Sequence, residues 1–402
     1  MSDTPNRSGW LRNSLSVLAL LVLGVAGVRM AGEYLNSPTI PRPVDFLQVW
    51  AAGRLHLAGE NPYDAARMLE LQRANRLADD RASMMWNPPW ALALVMPVGA
   101  LPVNAAQGVW LCALAGMVLA SAVVLWRQAG GAWNRAWVPT LVALAFAPTW
   151  FLLVGGQIVA IVLFGVTGFL VAARNNRPVL AGACAALTAV KPHLLVPFAV
   201  GLLIDAARTP FGRRVVLGGL LVGAVAAGIA TIPNPSVWEQ YARSATGSGS
   251  QEHKALADWV NPTLGAWVRE AVPGRPFWVQ WLPCAVAAVV FGLYWARQGG
   301  PDRWPAALPW VVPLGLLTAP YGSWMCDQVL LLVPIVAVLA AWETSPKRPL
   351  RVWLALGVYV AANIAGLAMM FGEAGQEYYV WFAPVIVACL WLARSPRGPI
   401  HG

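Results

Sequence analysis

Charge is scarce in this 402-residue chain. Asp, Glu, Lys and Arg make up 11% of it, less than half the share of about a quarter found in soluble domains. With 58% hydrophobic residues and a mean hydropathy of +0.57, that scarcity excludes an ordinary water-soluble domain. Cysteine is thin as well. The five present (Cys112, Cys184, Cys284, Cys326 and Cys389) lie in or beside apolar runs without CxxC spacing. That excludes a zinc ribbon or a disulfide framework and leaves them as small buried hydrophobes. The apolar runs are continuous rather than alternating, which excludes a membrane β-barrel. No solenoid repeat and no separate soluble domain interrupts them, so residues 1–402 read as one membrane domain.

What is present is a succession of apolar segments: 13–31, 88–101, 105–126, 136–154, 157–173, 178–190, 193–205, 214–232, 276–296, 305–320, 325–342, 352–371 and 378–394. Charge-free runs of roughly 15 to 20 residues suffice to cross hydrocarbon, and lipid admits only helices or closed barrels. The expectation is an all-α, polytopic helical membrane protein with about 12 transmembrane helices. Many of the 22 Trp lie near run ends, as an interfacial belt requires. Arg7 and Arg12 precede the first run, but VRMAGEYLN offers no small-residue cleavage site, so an uncleaved first helix is expected.

The net charge of +10 would suggest nucleic acid in a soluble protein. Here the Arg residues cluster in short loops between apolar runs, and the positive-inside rule accounts for them without a nucleic-acid partner. ARNNRP (173–178), the stretch 205–214, SPKRPLR (345–351) and ARSPRG (393–398) are expected in the cytoplasm, and the acidic GEAGQE (372–377) outside. The chain is thus placed as a multi-pass protein of the inner (plasma) membrane, with two long extracytoplasmic loops, 32–87 and 233–275, and YGSW (321–324) on the same side. One conflict remains: RQAGGAWNR (127–135) carries two Arg, yet simple alternation puts it outside. Either 88–101 is re-entrant, or 136–173 holds a crossing plus a broken half-helix near Pro148 and the pair Gly155 and Gly156.

In the first outer loop Leu47, Trp50, Ala51, Leu55 and Ala58 share a helical stripe, and Met68, Leu71 and Leu77 do so more loosely. Two amphipathic interfacial helices are expected, separated by Gly59-Glu60-Asn61-Pro62, the second capped by Asp64. Asp45 then stands at the lip of a cavity between loop and membrane. Asn87, Gln157, Lys191, His193, Asn261, Tyr321 and Asp327 fall at the same outer ends of apolar segments. A Lys within otherwise apolar sequence costs about 3 kcal/mol on insertion scales and normally faces a cavity or an anion; the alternative for Lys191 is snorkelling to the interface. His193 could equally be a packed ring, Gln157 a partner of a broken helix, and Asp327 a helix N-cap.

A carboxylate at a membrane lip with cations opposite suits proton abstraction from a hydroxyl while a lipid-linked phosphate leaves. Such chemistry requires no cofactor and no metal, although Asp45 with Asp327 could share a cation. A transporter or flippase of a lipid-linked sugar or polar solute could use Asp and Lys in the same way. A second copy of the DF or KP segments, which a repeat-built transporter would carry, is not found. A non-catalytic assembly subunit would need neither group.

The combination of DFLQVWAAGRLHLAGENPYD (45–64), MWNPPWALALVMPVGALP (85–102), GGQIVAIVLFG (155–165), AGACAALTAVKPHLLVPFAV (181–200) and DWVNPTLGAWV (258–268) resembles the polyprenol-phosphate-sugar-dependent glycosyltransferases of family 87, in the GT-C class. These segments, in order and spacing, cover roughly residues 15 to 345; the last two apolar segments carry no matching motif. The resemblance implies a GT-C-like fold, an outward-facing site and an inverting hexosyl transfer. The donor would be a polyprenyl-phosphate sugar such as the mannose form, the acceptor a glycolipid or glycan. It implies Asp45 as general base, Lys191 and His193 at the donor phosphate, and Gln157, Asn261, Asn87, Tyr321 and Asp327 as substrate contacts. One departure touches the choice of sugar: late outer segments of comparable mannosyltransferases often hold a His, whereas APYGSWMCDQVLLL here holds Asp327 instead.

Overall fold

A computed structural model describes residues 40–246, 261–343 and 349–393, together with Gly32 and Ser37. The expected first helix at 13–31, the middle of the second outer loop (247–260) and the basic stretches 344–348 and 394–402 lie outside the described residues. No strand occurs among the described residues.

The first loop forms α1 (Val44–Leu57) and α2 (Ala65–Ala74); the Asp64 carboxylate caps α2, accepting from the Arg67 N–H at 3.0 Å. A 3-10 turn at Pro89–Ala91 leads into α3 (Leu92–Gly99) and then α4 (Val103–Gln128). There follow α5 (Trp137–Ala145), α6 (Ala147–Gly155), α7 (Ala160–Arg174) and α8 (Pro178–Ala186). Next come α9 (Val196–Arg208), α10 (Pro210–Thr231), α11 (Val237–Thr246) and α12 (Leu264–Glu270). The chain closes with α13 (Leu282–Gln298), α14 (Trp304–Thr318), α15 (Leu332–Glu343), α16 (Leu350–Phe371) and α17 (Phe382–Ala393).

Among the described residues five segments are long and apolar enough to cross a membrane alone: α4, α10, Phe277–Gln298, α16 and Gln376–Ala393. The bent pair α5–α6 makes a sixth, and shorter apolar helices complete the bundle. Leu217, Leu220, Leu221 and Val225 of α10 are exposed at helical spacing, as are Val286, Val289, Val290 and Leu293 of α13. Apolar surface of that extent is tolerated where the solvent is hydrocarbon.

Two features bear on the conflict at the basic 127–135 segment. The segment around α3 folds back: Trp50 Nε1 donates to the Leu101 carbonyl at 3.1 Å and Tyr63 Oη to the Asn87 carbonyl at 3.3 Å, so both its ends meet the first loop. The chain from 133 to 155 is bent by 64° at Phe146, whose backbone is extended. Asn363 of α16 satisfies the Ala147 N–H exposed by that break, at 2.8 Å. Consequently 127–135 joins the basic end. Arg174 donates to the Gln128 carbonyl and side chain, Arg135 pairs with Glu343 at 3.2 Å, and the Ala132 N–H reaches the same carboxylate at 3.1 Å. The same end holds Arg208 on the Ala296 carbonyl and the buried Asp205, which accepts from the Trp295 and Trp304 indoles at 3.0 and 2.8 Å.

The structure differs from the sequence expectation at α1. An interfacial helix buries one stripe, but α1 buries nine of its residues, from Phe46 through His56, nearly all round. It is a packed element, crossing α3 so closely that a Cβ on Gly99 would lie 2.3 Å from the Gly53 carbonyl carbon and one on Gly53 would lie 2.7 Å from the Val95 oxygen. Gly99→Ala is therefore expected to destabilise the protein by about 1–3 kcal/mol through forced separation of the two helices. Gly116→Ala in α4, where an added Cβ meets nothing within 4 Å, should be neutral or gain up to about 1 kcal/mol. Melting of the two variants in detergent checks this; equal melting temperatures would sink the idea of a backbone-limited crossing.

Candidate active site

Three breaks in otherwise apolar helices meet at the end opposite the basic loops. The first follows α6. Gly156 takes φ +72° and ψ 33°, the left-handed conformation that ends a helix, and its carbonyl accepts from the buried Trp110 indole at 2.7 Å. The first turn of α1 sits on this step. A Cβ on Gly156 would lie 2.7 Å from Phe46 Cβ, and one on Gly155 would lie 2.9 Å from Asp45 Oδ2. Any side chain larger than hydrogen at these two positions would push Asp45 away. The Gln157 side chain lies beside the Asp45 carboxylate and favours its ionised form.

The second break follows α8. The helix tightens to a 3-10 turn at Leu187–Val190, Lys191 leaves helical geometry, and Pro192 opens another 3-10 turn. Asn87 fixes this break by donating to the Val190 carbonyl at 2.7 Å. The third break is the turn after α14. Gly322 takes φ +68°, and its N–H donates to Asn261 Oδ1 at 2.9 Å, tying the second outer loop to the turn. The Tyr321 and His193 rings pack with centroids 4.1 Å apart, and Trp281 meets Tyr321 edge-on at 5.8 Å.

An ion pair joins the second and third breaks: Lys191 Nζ lies 2.6 Å from Asp327 Oδ1. The Lys191 side chain keeps 12% of its surface exposed and Asp327 keeps none. Removing one member of such a pair leaves a stranded charge, typically at a cost of about 3–5 kcal/mol. Asp45 feels both partners, Lys191 more strongly than Asp327. Burial pushes the Asp45 carboxyl up to about 6, with Lys191 and Gln157 pulling it back and Asp327 adding to the rise.

Of the residues singled out from sequence, Asp45, Gln157, Lys191 and Asp327 form one connected group, with His193 and Tyr321 beside it. Asp45, Gln157, Lys191, His193 and Tyr321 each retain open surface. Asn261, 1% exposed, engages the turn backbone, and Asn87 engages the backbone next to Lys191. Sequence reasoning missed the aromatic wall around them. Tyr241 packs on Tyr63 at 5.3 Å and donates to the Trp86 carbonyl at 3.5 Å; Trp86 precedes Asn87 in the WNPP stretch, which was its one available signal. Among the described residues no three His, Cys, Asp or Glu side chains gather as a metal site.

The arrangement can accept a proton at Asp45 and place an ammonium beside it. Comparison with known proteins gives one result: the family model for glycosyltransferase family 87 matches residues 86–308, more than half of the chain. That range contains Asn87, Gln157, Lys191, His193 and Asn261, and leaves Asp45, Tyr321 and Asp327 outside it. No curated protein and no solved structure matches.

A carboxyl raised from 3.8 to about 6 opposes folding when ionised, so stability is lost as pH rises through that interval. Asp45→Asn, which removes the ionisation and keeps the shape, should melt at or above the wild-type temperature at neutral pH. The difference should close toward pH 4. A variant that melts lower at neutral pH would show instead that the ionised carboxylate holds the site together.

Proposed function

The chain belongs to glycosyltransferase family 87, and on that premise we propose that it transfers a hexose, mannose in the first instance, from a polyprenyl-phosphate donor to a glycolipid or glycan acceptor. Asp45 is the general base. The observation that carries this is the seating of Asp45 on the Gly155–Gly156 step, beside Gln157 and within the field of the Lys191 ammonium. A base whose pKa lies near working pH combines the required deprotonated state with useful basicity.

In the reaction the acceptor hydroxyl loses its proton to Asp45 as its oxygen attacks the anomeric carbon. The bond from that carbon to the phosphate oxygen breaks on the opposite face, and polyprenyl phosphate departs with the electron pair, inverting the centre. The leaving group gains one negative charge. Lys191, with two N–H donors beyond the one engaged by Asp327, and His193 stand where that charge would develop. Gln157 orients the base, while Asn87 and Asn261 hold the two breaks in register.

The site end is assigned to the outside of the plasma membrane. Arg127, Arg135, Arg174 and Arg208 mark the other end of the bundle, separated from Gln157 by the fifteen residues of α7. Such a helix spans about 22 Å, and the positive-inside rule places the Arg-rich end in the cytoplasm. A donor held by its lipid tail would present its phosphate at this depth, where the base and the ammonium lie.

Asp45→Asn should lower transfer by a factor of about 10²–10⁴ and leave donor binding intact. The wild-type kcat/KM should fall as pH drops through about 6, with the carboxyl protonated below it. Proteoliposomes with radiolabelled polyprenyl-phosphate mannose and a mixed glycolipid acceptor extract check both. Undiminished transfer by the variant would move the base elsewhere. Wild type that binds donor without transferring sugar would favour a flippase.

A further inference from the structure

The structure assigns Asp327 a role that its position in the sequence does not announce: we infer that it is a positioning residue for the Lys191 ammonium and touches no substrate. The inference deepens the proposed transfer reaction and rests on it. Asp327 has no exposed surface, so no substrate atom reaches it without displacing protein. Both carboxylate oxygens are engaged: Oδ1 accepts from Lys191 Nζ at 2.6 Å, and Oδ2 accepts from the Trp324 backbone N–H at 3.1 Å. The Asp327 N–H returns to the Trp324 carbonyl at 2.8 Å, closing a rigid turn around the side chain.

Lys191 is placed the opposite way. It sits between two 3-10 turns, outside any α-helix, on a four-carbon stem that would otherwise sample many rotamers. A lone cation there would swing toward Asp45, whose charge it already feels. Fixing one of its three N–H donors on Asp327 leaves the other two for a ligand and keeps the ammonium from forming a closed pair with the base. The same turn carries Tyr321 against His193, so one element sets both side chains proposed for the donor phosphate. The ligand recognised is a phosphomonoester or phosphodiester oxygen on a lipid-borne donor.

The test uses four full-length proteins in detergent: wild type, Asp327→Asn, Lys191→Met and the double variant. Binding is read with a short-chain polyprenyl monophosphate, and turnover with the corresponding phosphosugar. Asp327→Asn should weaken polyprenyl phosphate binding and raise donor KM tenfold or more, with acceptor KM unchanged. In the Lys191→Met background the same substitution should change neither, because the group it positions is gone, and it should raise the melting temperature by removing the stranded carboxylate. Asp327→Glu, which keeps the charge one methylene further out, should recover part of the affinity and also serves if the Asn variant fails to fold.

Equal losses from Asp327→Asn with and without Lys191, a shift in acceptor KM, or unchanged donor affinity would each overturn the positioning role. Wild type that neither binds polyprenyl phosphate nor transfers sugar would overturn the donor reading as well. A binding, active wild type with an additive cycle would overturn the positioning role alone.

Discussion

The contact on which the site depends is that between the first turn of α1 and the Gly155–Gly156 step. Asp45 stands at this break because Phe46 rests on a residue with no Cβ, and Gly156 turns left-handed to present that surface. The step is itself pinned from below by the Trp110 indole on the Gly156 carbonyl. A carboxylate on an exposed loop would have an ordinary pKa and many orientations. Packed in this way it is seated on the glycine step beside Gln157, partly shielded from water, and raised in basicity.

Charge is then distributed with economy. An unpaired ion is expensive away from water. Asp327 balances Lys191 inside the protein, and Asp45 lies within reach of the same ammonium. The pairing is asymmetric in a useful way: the carboxylate of the pair is sealed and the ammonium keeps an open side. An anion reaching this point would therefore meet the ammonium's open side and not the sealed carboxylate.

The helical membrane architecture was legible because the signal for it is local. Apolar runs of crossing length, scarce charge and Arg-rich loops each speak for themselves, and most segment bounds agree with the helices to within a few residues. The candidate site was legible as a set of polar exceptions: Asp45, Gln157 and Lys191 stood out against apolar neighbours, and they lie within electrostatic reach of one another. What sequence could not supply were pairings across long separations. The partner of Lys191 lies 136 residues away, and the carboxamide that caps the break before Ala147 lies 216 residues away. No periodicity encodes either. The interfacial reading of α1 missed for the same reason, since the helix packs on Val95, Gly99 and the Gly155–Gly156 step, all distant in the chain.

The three breaks explain why the site needs so many helices around so few reacting groups. Each break frees backbone donors or acceptors that hydrocarbon cannot satisfy, and each is repaired by a side chain from elsewhere: Trp110 for the first, Asn87 for the second, Asn261 for the third. A repaired break is the only place in a lipid-embedded bundle where irregular backbone can carry polar side chains to a shared point. The family match covers all three repairing residues but ends before Tyr321 and Asp327 and begins after Asp45. The matched core thus supplies two of the three breaks and the residue that repairs the third, and the flanking segments bring Asp45, the lysine's counter-ion and the Tyr321 turn onto it.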